Sequence, residues 1–426
     1  MSLLPVCAVL LAQISASSDW PRFRGPTGDG VAAKEADPPV AWDETRNVAW
    51  KTAIPGRGRS SPVVLGGRVF LTTAAERGIR RTRIGPDDMQ TAEHVAVGAV
   101  GVEASSGKIL WQVTLREIDH PDPVHWLNSW ATPTPVVEPG RLYCDFGTFG
   151  TWCLDPDTGK VLWERRLPLD HQVGPGSSPA VCGDLLILVR DGRDAQYVAA
   201  LDTKTGRTVW KTDRPPLRAS HHNMKKSFSS PLEIRVGDGV RVVSVGAQWV
   251  AAYDPLTGKE LWRLRHGEGF SIGTVPVFGR GLLYVGTGCF KASLLAIRPD
   301  GTGEVAEDHV VWHTQKGVPV MSSPVLAGED LCWVSDNGIA TWADPAGGQV
   351  RRQERLGQDH LASPIWAAGR IYFFGREGKT TVFRAGNPPE RLGEGRVEGL
   401  VTATPAAVGK ALFLRTDTHL YRIEER

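Results

Sequence analysis

The sequence predicts an all-β fold that is built from repeated four-stranded antiparallel units. Two patterns support this prediction. A turn motif, A-x-D-x-x-T-G-K-x-x-W, recurs along the chain, and a small or β-branched residue followed by Pro recurs upstream of the turns. Short apolar runs flank both patterns, as β-strands would. Because one hairpin cannot bury both of its faces, the repeated hairpins must pack against one another.

The turn motif is clearest at residues 252–262. Asp and Thr side chains bond nearby backbone groups and Gly adopts positive φ at little cost, so the motif predicts a tight turn between two strands. The following Trp buries a large apolar area and has one N–H to satisfy, so we expect it to dock at the end of the hairpin. The predicted docking tryptophans are Trp50, Trp111, Trp163, Trp210, Trp262 and Trp312, and the turn residues are Asp155, Asp202, Asp254, Gly159, Gly206 and Gly258.

The second pattern marks the start of eight units. In most of them the marker leads into a strand, a short turn and another strand before the turn motif begins, so each unit holds four strands, A to D. Four-stranded units repeated around a ring are typical of a β-propeller, and a solenoid with end caps is the alternative. The markers are Ser61-Pro62, Thr134-Pro135, Ser178-Pro179, Ser230-Pro231, Val275-Pro276, Ser323-Pro324, Ser363-Pro364 and Thr404-Pro405.

The two ends of the chain favour a ring. The last unit has only three strands, the third of which ends near Glu424, whereas a strand near residues 47–51 has no unit of its own. That strand would complete the eighth unit and remove an open sheet edge. We therefore predict an eight-bladed β-propeller over residues 40–426, preceded by an N-terminal extension at residues 19–39.

Composition and the N-terminus limit the classes of function. A net charge of +2 does not predict nucleic-acid binding, and no apolar run reaches the length of a membrane span. Residues 1–18 predict a secretory signal peptide, because an apolar stretch precedes small residues; a buried first strand or a lipid anchor at Cys7 are the alternatives. We expect a monomeric protein that is periplasmic or secreted.

These motifs resemble the PQQ-like (pyrroloquinoline quinone-like) repeat family, of which A-x-D-x-x-T-G-K-x-x-W is the tryptophan-docking signature. Residues 19–30, which contain WPRFRGP, are similar to the start of many secreted bacterial members. The resemblance implies an eight-bladed propeller and two functional classes. One comprises quinoprotein dehydrogenases that bind PQQ and calcium, and the other comprises non-enzymatic members that resemble the outer-membrane assembly scaffold BamB.

The chemistry-bearing residues favour the non-enzymatic class. The resemblance implies adjacent cysteines near the cofactor of a large quinoprotein dehydrogenase, and the six cysteines include no adjacent pair. The chain also lacks the CxxCH and P-loop motifs. The adjacent His221 and His222 point to opposite sides of an extended segment, which suits a single metal poorly. We predict no catalytic residue, metal or cofactor, with PQQ and calcium only under the alternative.

Three long loops predict the binding face. The B–C and D–A loops of antiparallel blades share one face of the ring, and residues 75–94, 119–130 and 215–228 all belong to such loops. Their basic residues favour a protein partner or a small anionic ligand; the alternative is that the loops only cover the ring. The predicted function is an exported binding or scaffold module, and the alternative is a PQQ-dependent alcohol or sugar dehydrogenase. The predicted binding residues are Trp126, Asn128, Trp130, His221, His222, Asn223, Lys225 and Lys226.

Overall fold

The computed structural model describes residues 19–289 and 291–426. The predicted signal peptide at residues 1–18, including Cys7, lies outside the described residues. Within the two described ranges there is no apolar helix long enough to span a membrane.

The strands of the first part of the chain contribute to four large sheets, to one small sheet and to the last sheet. In chain order they are β1 (Val48–Ala53), β2 (Val63–Leu65), β3 (Arg68–Arg77), β4 (Arg80–Ile84), β5 (Asp87–Thr91), β6 (His94–Glu103), β7 (Ile109–Asp119), β8 (Val124–His125), β9 (Val136–Glu138), β10 (Arg141–Asp145), β11 (Thr151–Leu154), β12 (Val161–Arg165), β13 (Ala180–Cys182), β14 (Leu185–Asp191), β15 (Gln196–Asp202), β16 (Thr208–Asp213), β17 (Leu232–Val236), β18 (Gly239–Val245), β19 (Trp249–Tyr253) and β20 (Glu260–Arg265).

The strands of the remaining chain form the other large sheets, and three 3₁₀ helices lie in connections. The strands are β21 (Val277–Gly279), β22 (Leu282–Gly286), β23 (Leu294–Ile297), β24 (Gly303–Val305), β25 (Val310–Thr314), β26 (Val325–Ala327), β27 (Asp330–Val334), β28 (Ile339–Ala343), β29 (Val350–Arg355), β30 (Ile365–Ala367), β31 (Arg370–Phe374), β32 (Lys379–Arg384), β33 (Glu390–Arg396), β34 (Ala406–Val408), β35 (Ala411–Arg415) and β36 (His419–Glu424). The 3₁₀ helices span Gly147–Phe149, His222–Lys225 and Glu307–His309.

Eight of the sheets in the described chain contain four antiparallel strands each, and one of these gains a fifth strand. The prediction of an all-β chain of four-stranded antiparallel sheets is therefore confirmed. Sheet 1 comprises β2, β3, β6 and β7; sheets 2 and 3 comprise β9–β12 and β13–β16; sheet 4 comprises β17–β20 with β24; sheet 5 comprises β21, β22, β23 and β25; sheets 6 and 7 comprise β26–β29 and β30–β33; and sheet 8 comprises β34, β35, β36 and β1.

The N-terminal strand completes the last sheet, where the sequence predicted a strand at residues 47–51. β1 pairs with β36 in antiparallel fashion, with Lys51 opposite Tyr421 and Thr52 opposite Leu420. At the other side of sheet 8, β34 contacts β2, and β2 in turn contacts β9. Sheet 1 therefore lies against both sheet 2 and sheet 8.

The Ser or Thr of the Pro markers links consecutive sheets. The hydroxyl of Ser178 accepts a hydrogen bond from the backbone N–H of Thr134, at 2.9 Å, and the hydroxyl of Ser230 accepts one from Ser178 at the same distance. The same contact joins Ser61 to Thr134, Val275 to Ser323, Ser323 to Ser363, and Ser363 to Thr404. Because Val275 has no hydroxyl, the contact cannot form between Ser230 and position 275. These buried bonds explain why small hydroxyl residues recur at the markers.

The docking tryptophans reach the next sheet along the chain. The indole N–H of Trp163 donates to the carbonyl oxygen of Thr203 and that of Trp210 to Pro255, both at 2.9 Å. A Cβ at Gly258 would lie 2.5 Å from the Trp210 ring, so glycine is required both for its φ of +70° and for the close approach. The same donation joins Trp50 to Ala104, Trp111 to Pro156, and Trp312 to Pro345.

Trp262 departs from this pattern because the next unit has lost its turn motif, with Arg298 where Asp is expected. Its indole N–H has no partner among the described residues, although the side chain is fully buried. The insertion that follows supplies β24, which pairs in parallel with β20 and sets Gly303 opposite Trp262. The insertion therefore covers the strand that carries Trp262.

The N-terminal extension lies across the first strands of several sheets. Trp20 pairs with Val64 of β2, and the carbonyl oxygen of Pro21 accepts from Val137 of β9. The fully buried guanidinium of Arg24 donates to the carbonyl oxygen of Pro324, just ahead of β26. Further along, Gly30 and Ala32 bond to Trp366 of β30, and Asp37 bonds to Gly409 beyond β34. A segment without strand periodicity thus ties sheets 1, 2, 6, 7 and 8 together.

Candidate functional site

The three predicted loops lie together on one side of the sheets. The loop at residues 75–94 carries the β4–β5 hairpin, and β5 pairs with β8 of the loop at residues 119–130, forming a three-stranded sheet. Gln172 joins the third loop to them: its amide N–H donates to Asp87 at 3.1 Å, and its amide oxygen accepts from the Lys226 ammonium. These three loops, with Gln172 and the residues that contact them, are called the loop face below.

Trp126 spans the loop face from the long loops to sheet 7. Its indole is half-buried between two guanidiniums: Arg81 lies 4.4 Å from the ring centroid, and Arg376, in the turn between β31 and β32, lies 4.9 Å from it. Arg59 donates to the carbonyl oxygen of Trp126 at 3.1 Å. Cation–π contacts of this kind contribute about 0.5–2 kcal/mol each. The arginines therefore hold Trp126 from both sides.

The arginines beside Trp126 have few counter-charges. Burial lowers the pKa of Arg59 to about 10, and the positive charge of Arg376 acts in the same direction. Burial raises the pKa of Glu76 to about 7, opposed by the charges of Arg57 and Arg59. Ion pairs on this face join Arg81 to Asp88 and Arg193 to Asp170. Among the described residues, neither Arg59 nor Arg376 forms an ion pair, so both can receive an anionic group.

Lys226 adds a buried cation to this face. Its ammonium is bonded to the neutral amide of Gln172, and within the described ranges it forms no ion pair. Burial lowers the pKa of Lys226 to about 8, opposed by the charge of Asp87. The pKa of His125 is lowered as well, chiefly by burial; the charges of Asp87 and Asp88 oppose the lowering, and those of Arg59 and Lys226 add to it. The imidazole of His125 therefore lies within range of two cations and two carboxylates of the loop face.

The other predicted residues have supporting or peripheral places. Trp130 is fully buried, with its indole N–H bonded to the carbonyl oxygen of Asp122, so it packs in the core. Asn128 donates to the carbonyl oxygens of Val173 and Pro175 at 2.8 and 3.1 Å, which fixes the loop at residues 119–130 to its neighbour. Trp130 is thus enclosed in the core, whereas Asn128 is half-buried and engaged with the neighbouring loop.

The second predicted loop group lies at the edge of the face. His221 and His222 are exposed, and His221 Nδ1 accepts from the backbone N–H of Asn223 at 3.2 Å at the start of a 3₁₀ helix. Asn223 and Lys225 are half-buried. Of the predicted binding residues, the structure therefore brings only Trp126 and Lys226 to the centre.

Arg59, Glu76, Gln172 and Arg376 belong to the centre but were not among the predicted residues. Three of them lie outside the long loops: Arg59 just precedes a Pro marker, Gln172 follows sheet 2, and Arg376 lies in a short turn. Their positions in B–C and D–A connections were nevertheless readable from the repeat. Considering short connections on the predicted face, as well as long ones, would have found them.

The described residues offer no carboxylate cluster for the calcium that accompanies PQQ under the alternative. Calcium takes six to eight oxygen ligands, largely from carboxylates, and the described ranges contain no cluster of three or more His, Cys, Asp or Glu that could hold a metal ion. Two cavities beside the first strands, one lined by Arg22 and Ser230 and the other by His171 and Arg190, have volumes of about 20 and 10 Å³. These two cavities hold at most a water molecule, whereas a larger cavity of about 700 Å³, lined by Trp366, Arg370 and Arg384, contains no carboxylate among its lining residues.

The family comparison covers most of the repeat region: residues 96–353 match the family model described as outer membrane protein assembly factor BamB. The chain is 28% identical over 247 residues to the quinohemoprotein alcohol dehydrogenase ADH-IIG of Pseudomonas putida, covering 51% of this chain and 32% of that protein. It is 23% identical over 377 residues to the tetrathionate hydrolase of Acidithiobacillus ferrooxidans, covering 81% and 68%. It is 26% identical over 353 residues to BamB of Burkholderia pseudomallei, covering 68% and 85%.

Solved structures align with a larger share of this chain than the sequence relatives do. The crystal structure of BamB from Moraxella catarrhalis superposes with a TM-score of 0.59 at 14% identity, covering 88% of this chain and 97% of that one. The quinohemoprotein alcohol dehydrogenase from Comamonas testosteroni gives 0.66 at 11% identity, covering 97% and 82%. Both are β-propeller proteins, so the chain has a β-propeller fold. At these identities the likeness concerns the fold alone.

Proposed function

The chain belongs to the BamB family of PQQ-like propellers, and on this premise we propose that it is an exported, monomeric, eight-bladed propeller that binds a partner on its loop face and catalyses no reaction. Eight four-stranded sheets support the blade count, and the contact of sheet 1 with sheet 8 supports a closed ring. The predicted signal peptide at residues 1–18 supports export to the periplasm or beyond.

The observation that carries the binding proposal is that three cations of the loop face, two of which contact Trp126, form no ion pair within the described part of the chain. Arg59, Arg376 and Lys226 are all at least half-buried, so water stabilises their charges only in part. A carboxylate or another oxyanion placed among them restores that stabilisation. Trp and Arg are also the side chains enriched at the energetic centres of protein interfaces. The partner is therefore an acidic protein surface or a small anionic ligand.

A quinone-dependent oxidoreductase is the second candidate, because an alcohol dehydrogenase is among the relatives. It has less support, since this chain spans only 32% of that enzyme and the described loop face lacks a set of calcium ligands. The tetrathionate hydrolase relative acts, by its name, on a sulfur oxyanion. Tetrathionate is therefore a suitable small-anion probe.

Calorimetry on the mature protein separates the possibilities, with tetrathionate as one titrant and PQQ with calcium as another. We expect Lys226→Met to weaken tetrathionate binding at least 10-fold, while Lys225→Met, a half-buried lysine in the adjacent position, changes it less than 2-fold. Tight PQQ binding with dye-linked alcohol oxidation would overturn the proposal in favour of the enzyme.

The protein-partner arm uses cross-linking and pull-down from cell-envelope extract. Trp126→Ala combined with Lys226→Met should lose the captured partner. Trp126→Ala combined with His222→Ala should also weaken capture, and we expect the whole of that effect to come from the loss of Trp126. Circular dichroism checks that both variants fold. If both folded variants capture the same proteins as wild type and bind tetrathionate equally well, the loop face is not the site.

A further inference from the structure

The fourth strands of the sheets differ in what lies beside their outer edges. In sheet 4, β24 pairs with β20, and in sheet 7 Trp42, which precedes β1 in the chain, forms a parallel bridge with Gly395 of β33. Across the described ranges, the outer edges of β1, β7, β12, β16, β25 and β29 have no strand beside them. An unpaired edge presents a row of free backbone N–H and C=O groups.

Exposed apolar side chains occur on strands with open outer edges and are absent from the two strands with covered edges, within the described chain. Five of these six open strands carry large apolar side chains that are 40–51% exposed, whereas β20 and β33, whose edges are covered, carry none in the described chain. The exposed residues are Leu110, Val161, Leu162, Val209, Val311 and Val350. Open edge and exposed apolar side chain together are the features of a strand that accepts another strand.

Strand β24 shows what kind of segment fits such an edge. It places Gly303 opposite Trp262, Glu304 opposite Arg263, and Val305 opposite Leu264, all in parallel. Glu304 forms an ion pair with Arg263 at 3.1 Å, and Val305 packs against the core of sheet 4. The segment that fits is therefore extended, with a small, an acidic and an apolar residue in that order.

Strand β16 of sheet 3 presents the same features without an occupant. Lys211 follows Trp210 as Arg263 follows Trp262. Its ammonium lies 4.2 Å from the Tyr197 ring centroid, and within residues 19–289 and 291–426 its one ion pair is a 3.3 Å contact with Asp213, two residues away. Val209 is the most exposed apolar side chain on the open strands, at 51%. The residue after the docking Trp is Gln112 in β7, Glu164 in β12 and His313 in β25, and Lys51 in β1 is already paired with Glu44 and Glu398.

We propose that the outer edge of β16 docks an extended segment of a partner protein, which adds to sheet 3 as a parallel strand. Its small, acidic and apolar residues lie opposite Trp210, Lys211 and Thr212. The backbone ladder supplies the affinity, and the ion pair with Lys211 supplies selectivity. This surface is on the rim of the sheets, away from Trp126 and Lys226, so it stands independently of the loop face.

The test uses the chain's own β24 segment as the probe: a fluorescent peptide of residues 300–308, titrated into the full mature protein and followed by anisotropy. We expect saturable binding that Lys211→Glu weakens at least 10-fold. A peptide carrying Glu304→Lys should recover binding to that variant by exchange of charge. Gln112→Glu on β7 is the matched control, because it adds a negative charge at the same position of another open strand, and should change binding less than 2-fold.

Three results would overturn the proposal. The first is absence of saturable binding at the highest soluble peptide concentration. The second is loss of binding in Arg263→Glu but not in Lys211→Glu, which would mean that the peptide displaces β24 from sheet 4. The third is self-association of the protein, seen by sedimentation and abolished by Lys211→Glu, which would make a second copy of the chain the occupant. Lys211 and Val209 are exposed, so the variants should fold normally.

Discussion

At the residue scale, tryptophan and glycine act as a pair between sheets. The sequence predicted that Trp163, Trp210 and Trp262 are buried, and they are 8%, 8% and 0% exposed. It did not predict that the glycine of the next turn receives the ring, because that contact joins residues about 48 positions apart, from Trp210 to Gly258. The burial of each Trp follows from the local sequence pattern, whereas the glycine against which its ring packs follows only from how the sheets pack.

The docking tryptophans give the first prediction. Truncation of Trp163, Trp210 or Trp262 to Ala should lower the free energy of unfolding by about 3–5 kcal/mol, the usual cost for a buried large aromatic. Substitution by Phe separates packing from hydrogen bonding. Trp210→Phe loses the bond to Pro255, whereas Trp262→Phe loses none, since its indole N–H has no described partner. Chemical denaturation should show Trp210→Phe to be the more costly by about 1 kcal/mol. Equal costs would contradict the role assigned to the bond.

One buried and two half-buried histidines give a second residue-scale prediction. Burial lowers the pKa of His171 to about 3 and those of His266 and His360 to about 4. Each folded-state pKa lies below the unfolded value of about 6.5, so the folded protein favours the neutral imidazole. The free energy of unfolding is therefore unaffected by these groups above pH 6.5 and falls as the pH is lowered towards 4, where the unfolded chain binds the protons. At pH 4, each of these histidines should lower the free energy of unfolding by roughly 3 kcal/mol.

The measurement is urea unfolding between pH 7.5 and 4, with wild type beside His360→Leu. Because carboxylates also titrate near the acidic end, the informative quantity is the difference between the two pH profiles. We expect the variant to lose less stability on acidification than wild type does. Parallel profiles would show that His360 is not held neutral in the folded protein.

At the element scale, the marker residues connect one sheet to the next. The sequence predicted their recurrence and the four-strand units that follow them, because each pattern is local. It did not predict that the insertion after Trp262 joins sheet 4 as a parallel strand. Parallel pairing between residues 41 positions apart, as between Trp262 and Gly303, leaves no local periodicity, so only the packed structure shows it.

The interrupted series of marker bonds gives an element-scale prediction. Val275→Thr places a hydroxyl where Ser230 N–H can reach it, as Thr134 does for Ser61. We expect the free energy of unfolding to rise by up to about 1 kcal/mol, the net value of a typical hydrogen bond. The reverse change, Thr134→Val, removes the acceptor of the buried Ser61 N–H and should cost about 1–3 kcal/mol. Differential scanning calorimetry compares them. A stabilised Thr134→Val would contradict the linking role.

At the scale of the whole molecule, the N-terminal region does more than the sequence predicted. The pairing of a strand near residues 47–51 with the last sheet was predicted from an incomplete last unit. The course of residues 19–39 was not, because a short Pro- and Gly-rich segment has neither a strand nor a helix period. Its contacts are single bridges and isolated bonds to first strands, as at Val64 and Trp366. Trp20 and Arg24 are nevertheless fully buried, which makes the segment part of the core.

This arrangement predicts that the N-terminal region holds the proposed ring closed. Removal of residues 19–54 deletes β1 and exposes the edge of β36, and it also empties the sites of Trp20, Arg24 and Trp42. We expect aggregation or a large loss of thermal stability in size-exclusion and melting experiments, because an unpaired edge beside an opened core invites strand pairing between chains. A shorter truncation that removes only residues 19–39 keeps β1 and Trp42, so it should remain monomeric but melt at a lower temperature than the mature protein. If the longer truncation melts like the mature protein, β1 does not close the ring. If the shorter one does, the extension covers the first strands without stabilising them.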